Sequence, residues 1–158
     1  MKLNLTLPSH WSLQTVGAEL LALCPGADGK PELVMSYGPL VPIPDFEQAW
    51  VDATMGAALP RGARLDLQSS TIVKAEVGWP IRLVEGQVVS AEGGVLERRL
   101  GAFFRFFEYA GAALVRGSVS RFDAHRDDLL RALASARPDF RDERVVHLGQ
   151  LFEDPERN

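Results

Sequence analysis

At 158 residues the chain is the size of one domain, long enough to bury a core. Its 46% apolar and 24% charged residues exclude a disordered chain, and its net charge of −4 argues against non-specific nucleic-acid binding, which needs a basic surface. A single cysteine, Cys24, leaves no intrachain disulfide and no cysteine metal cluster.

The N-terminal MKLNLTLPSHW lacks an apolar run of signal-peptide length, so a cytoplasmic protein is expected. Leu21-Ala22-Leu23-Cys24 faintly suggests a lipoprotein box. Leu23 is too large for the position before the cysteine, and Ser9, His10 and Glu19 break any apolar lead. No segment approaches the ~18 apolar residues of a membrane span, so no membrane insertion is expected. Lysine occurs only at Lys2, Lys30 and Lys74, an arginine bias that reads as genome composition rather than a phosphate site.

Leu3–Leu7 alternates like a short half-buried strand, and Pro8-Ser9-His10 turns it. Trp11-Ser12-Leu13 reads as a lead-in anchored by Trp11. Glu19–Cys24 and Glu32–Tyr37 read as a hairpin across the turn-rich Pro25–Pro31. Gly38–Pro44 is a proline-rich connector, unable to continue a sheet because its prolines lack the donor N–H. Asp45 with Gln48 fits a capping box, and Phe46, Ala49, Trp50, Ala53 and Ala57 make one helical apolar stripe ending at Leu59-Pro60.

Ala63–Val77 alternates for a long distance, with Ala63, Leu65, Leu67, Thr71, Val73, Ala75 and Val77 on one face. Gly78-Trp79-Pro80 turns the chain, Ile81–Ser90 returns, and Ala91–Gly94 turns again. Val95–Phe122 then reads as a central hairpin joined at Ala110-Gly111. Asp123 reads as the cap of a second helix over 124–136 with a Leu129, Leu130, Leu133 stripe, stopped at Arg137-Pro138. Residues 1–138 are thus one α+β domain. Residues 139–158 form a charged tail with one short added element at most.

No P-loop, G-x-G-x-x-G or G-x-S-x-G is present. His10, His125 and His147 are far apart and in no ligand spacing, so each reads as a surface or packing histidine. Cys24 reads as a buried inert thiol, with no basic residue placed to lower its pKa. Asp127-Asp128 and Asp142-Glu143 read as solvated charge, since adjacent helix residues point apart. Trp50 reads as core. Asn4-Leu5-Thr6 is a glycosylation sequon without meaning in an unsecreted chain. No catalytic constellation is readable, so no enzyme, cofactor or metal is expected.

One feature stands above this background. The second face of the long strands gathers Gln68, Ser70, Glu85, Gln87, Arg99, Phe103, Arg105, Phe107, Arg116, Ser118 and Ser120. Either a helix of this chain and the arginine stems cover the aromatics, or the face is a concave surface for an apolar partner.

The order of elements resembles the DcrB-related family of the PsbP-like fold. The resemblance rests on the first hairpin, the Asp45-Phe46…Ala49-Trp50 helix start, Gly78-Trp79-Pro80-Ile81-Arg82, and Leu114–Val119 running into Phe122-Asp123 and Leu129-Leu130…Leu133. It covers about residues 3–137. It implies an antiparallel sheet of about six strands packed against two main helices, with no cofactor. Small members of that family include effector-associated chaperones of bacterial type VI secretion, which work as dimers and cradle apolar segments of a toxin. Carried over, the partner-binding residues are Gln68, Gln87, Arg99, Phe103, Arg105, Phe107, Arg116 and Ser118. The expected function is then a non-enzymatic adaptor or chaperone for an apolar segment of a protein partner. An immunity or regulatory protein-binding module is the alternative, followed by a small-ligand protein or enzyme.

Overall fold

The computed structural model describes residues 2–45 and 47–139. Its framework is an antiparallel sheet. The strands are β1 (Lys2–Asn4), β2 (Ser12–Val16), β3 (Glu19–Pro25), β4 (Pro31–Tyr37), β5 (Val41–Pro42), β6 (Arg64–Lys74), β7 (Pro80–Val89), β8 (Val95–Phe106), β9 (Tyr109–Gly117) and β10 (Arg137–Asp139). The helices are α1 (Glu47–Met55) and α2 (Val119–Ala134). The sheet runs β2-β3-β4-β9-β8-β7-β6, with β5 pairing to β9, while β1 and β10 form a separate pair. The fold is α+β.

The sheet is wider than the six strands expected, because two segments read as connectors pair after all. Ser12–Val16 pairs in register with Glu19–Leu23, and Val41-Pro42 sits opposite Ala110 and Tyr109. Pro42 is tolerated because β5 lies off the main ladder, where one missing donor costs little. The opening alternation is shorter than it looked. Only Lys2–Asn4 is strand, and it pairs with β10. The expected tail element from 140 onward lies outside the described residues.

The central hairpin turns earlier than read. Phe106 pairs with Tyr109, leaving a two-residue loop at Phe107-Glu108 rather than one at Ala110-Gly111. Phe107 takes a left-handed φ of 57° there. The second helix also begins earlier. Ser118 is its N-cap, in extended conformation, its Oγ accepting from the Arg121 N–H at 3.4 Å. Asp123 lies within the first turns, and its carboxylate meets Arg98 at 3.2 Å.

The two faces of the sheet are covered unequally. On one side α2 lays Phe122, Leu129 and Leu133 against Leu33, Met35, Leu100, Ala102, Phe104 and Val115, the main core. On the other side α1 lays Val51 and Met55 against Val84, Phe103 and Leu114, a smaller core. A bulge between Leu67 and Ser69 shifts the phase of β6. Leu65 and Leu67 therefore face the α1 side while Thr71 and Val73 face the α2 side, which splits the single face read from the alternation.

Candidate functional site

The side chains expected to form one binding face are dispersed by these elements. Arg99 and Phe103 lie on the α1 side of β8 and are buried beneath α1. Trp50 meets Phe103 edge-on, with ring centroids 5.2 Å apart at 77°. Met55 and Phe103 crowd the backbone at Gly101, where a Cβ would come within 2.5 Å of the Met55 sulfur. Arg99 is wholly buried and closes the C-terminus of α1. Its Nη1 donates to the carbonyls of Met55 at 2.7 Å and Ala57 at 2.6 Å, and its Nε to Glu97 Oε1 at 2.7 Å. It supplies a partner for carbonyls that a helix end otherwise leaves orphaned. Neither residue offers surface to a partner in this structure, so the covering helix of the chain itself takes this part of the face.

Glu85 and Gln87 fall on the opposite face. They pair across β7–β8 with Leu100 and Arg98 on the α2 side, where Arg126 meets Glu85 and Asp123 meets Arg98. Gln68 sits at the bulge of the edge strand β6. Phe107 is 71% exposed at the hairpin tip and contacts Trp79 edge-on at 5.0 Å. Arg105 is exposed near the same end of β8. Ser118 serves the helix cap, and Ser120 is helical.

Among the described residues, a different part of the α1-side face remains open. α1 lies mainly over β8 and β9, with Val84 of β7 also beneath it. Beyond them, Leu21 and Leu23 of β3 and Val34 and Ser36 of β4 are half-exposed, bordered by Arg116 of β9. At the end of this strip is an open cavity of about 670 Å³, lined by residues including Lys30, Glu32, Val34, Glu97, Arg116, Ser118 and Arg121. Its lining carries both signs of charge. Of the eight residues expected to bind a partner, Arg116 and Ser118 are the two brought together here. The open apolar strip came from the first hairpin, whose alternation was legible but whose outward residues could not be placed beside β9 without the sheet order.

One group of side chains able to ligate a metal converges among the described residues: Cys24, Glu32 and His125. Sequence spacing gave no signal for it, since the three come from β3, β4 and α2.

No family model and no curated protein matches the chain. Solved structures do. Cyanobacterial PsbP from Synechocystis aligns with a TM-score of 0.62 at 12% identity, covering 87% of this chain and 93% of that one. A protein of unknown function from Pseudomonas aeruginosa, described as a candidate regulator, aligns with a TM-score of 0.52 at 12% identity, covering 83% and 99%. No described helix is long and apolar enough to cross a membrane. The eight-stranded antiparallel sheet, its two helices and these alignments together establish a PsbP-like fold.

Proposed function

We propose that this chain is a non-enzymatic protein-binding module that receives an apolar segment of a protein partner on the open half of its α1-side sheet face. The observation carrying this reading is the incomplete cover of that face. Leu21, Leu23 and Val34 are left half-exposed next to Ser36 and Arg116, an apolar strip with polar groups at its border. Exposed apolar strips rimmed by polar groups are the usual form of interaction surfaces. The finer reading is a cytoplasmic, homodimeric chaperone for a secreted effector of type VI secretion. It is supported by the order of elements described above. The Pseudomonas structural neighbour, described as a candidate regulator, favours a regulatory binding module as the second reading.

Co-purification from the native host tests this. Leu23→Glu and Val34→Glu are expected to lose a partner while keeping the wild-type circular dichroism spectrum. Phe103→Glu is expected to unfold the domain, because it places a charge in the core under α1. If Leu23→Glu and Val34→Glu both retain every partner of the wild type, the reading is wrong. The oligomeric state in solution tests the homodimer separately.

A further inference from the structure

Cys24 and Glu32 stand on adjacent strands, and simple alternation would not put them together. Cys24 pairs with Leu33, and the register then slips so that Pro25 pairs with Pro31. Glu32 is the extra residue of that bulge. A bulge re-aims the side chain it carries, and here the Glu32 carboxylate reaches the α2 side. His125, on the second turn of α2, completes the group. Its Nε2 lies 3.8 Å from Cys24 Sγ and 3.0 Å from Glu32 Oε2. The three ligand atoms all lie within 4.8 Å of one another.

We propose that Cys24, Glu32 and His125 form a zinc site. The bond lengths of tetrahedral zinc put a thiolate sulfur and an imidazole nitrogen about 3.6 Å apart, and a nitrogen and carboxylate oxygen about 3.4 Å apart. These two observed separations depart from the ideal by a few tenths of an ångström, and Cys24 Sγ and Glu32 Oε2 lie within 4.8 Å of each other. The donor set is one soft sulfur, one imidazole and one carboxylate, which suits zinc rather than calcium or magnesium.

Both nearer contacts converge on the same ring nitrogen. That excludes a relay in which a carboxylate orients one histidine nitrogen while the other activates the thiol. Three ligand atoms of different chemistry gathered within 4.8 Å of one another are instead what a shared cation requires. Arg121 Nη1 pairs with the other carboxylate oxygen of Glu32 at 3.3 Å, leaving Oε2 as the ligand atom and fixing its direction. The cavity lined by Glu32 and Arg121 borders the group on its Glu32 side, and three protein ligands leave a fourth position for water. The thiol is buried and stands near Glu32 and Asp128. Burial first, then these carboxylates, raise its pKa above the ordinary 9.0. A bound cation reverses the cost of the thiolate that they impose. Loading therefore displaces the thiol proton to solvent.

Cobalt titration of the full-length, metal-free, reduced chain tests the site. Cys24 is the chain's one cysteine, so a thiolate-to-cobalt charge-transfer band assigns the metal to it. The band is expected to saturate at one cobalt per chain and to disappear on addition of zinc. Cys24→Ser should abolish it. His125→Gln and Glu32→Gln should each weaken cobalt binding at least about tenfold, by analogy with losses at metal-supporting residues. Absence of the band at saturating cobalt, with the thiol counted as reduced, overturns the site. So does wild-type affinity in both His125→Gln and Glu32→Gln, which have partly exposed side chains and decide the matter even if Cys24→Ser fails to fold.

Discussion

At the C-terminus of α1 the last carbonyls point at a single guanidinium. Arg99 is wholly buried, and what keeps a charge there is three short hydrogen bonds, two to carbonyls and one to Glu97. Arg99→Ala removes the donor and leaves those carbonyls without a partner under α1. The expected loss is roughly 3 kcal/mol, from orphaned polar groups plus lost packing, read as a shift of the urea midpoint. An unchanged midpoint would show that the carbonyls find water instead. Tyr37 offers a second check on burial. The residue is buried in the main core, and desolvation lifts its hydroxyl above the ordinary 10.0. The folded chain thus keeps this proton after the unfolded chain has lost it. The associated stability is present below pH about 10 and is lost as the pH rises through the folded-state value. Tyr37→Phe should flatten the alkaline limb of the stability profile above pH about 10. Parallel alkaline limbs for the two proteins would contradict this.

Elements decide which residues are available to a partner. The strand α1 crosses contains Gly101, where only glycine leaves room for the Met55 sulfur and the Phe103 ring. Gly101→Val is expected to push α1 off its seat and cost about 1–3 kcal/mol by overpacking. Trp50 fluorescence should shift toward that of an exposed indole. A blue-shifted or unchanged spectrum with full stability would mean α1 can retreat without loss. Two bulges are equally decisive. One moves Leu65 and Leu67 of β6 to the α1 side, and the other turns Glu32 toward α2. Each inserts one residue, and in a period-two pattern one residue inverts everything downstream. The alternation of 63–77 therefore reads correctly as strand from Arg64 to Lys74, but not its faces or its last turn.

Across the described residues, a sheet this wide needs more cover than α1 and α2 give. α2 spans the main core, while α1 lies over β7, β8 and β9 and leaves the β3–β4 part of its own side open. Both sheet edges are exposed as well. β6 is an eleven-residue edge carrying Ile72 at 74% exposure. Its bulge and the charges at Arg64, Asp66 and Lys74 are the usual devices that discourage edge-to-edge pairing. The contrast matters for function. The edge is protected, whereas the half-open face is not, so the Leu23→Glu and Val34→Glu variants address the surface and Phe103→Glu addresses the core.

By itself the amino-acid sequence determined the antiparallel α+β class, both helices, the β6–β9 meander and the apolar face of the central hairpin. Those follow from short-range periodicity, since side-chain alternation and helical stripes are properties of consecutive residues. Only the tertiary structure decided which helix covers which face, that Arg99 caps α1, that Gln87 and Phe103 lie on opposite sides, and that Cys24, Glu32 and His125 meet. Each of these depends on strand order, on a bulge, or on the seat of a helix against a sheet. They are set by packing between segments far apart in the chain, which no local pattern encodes.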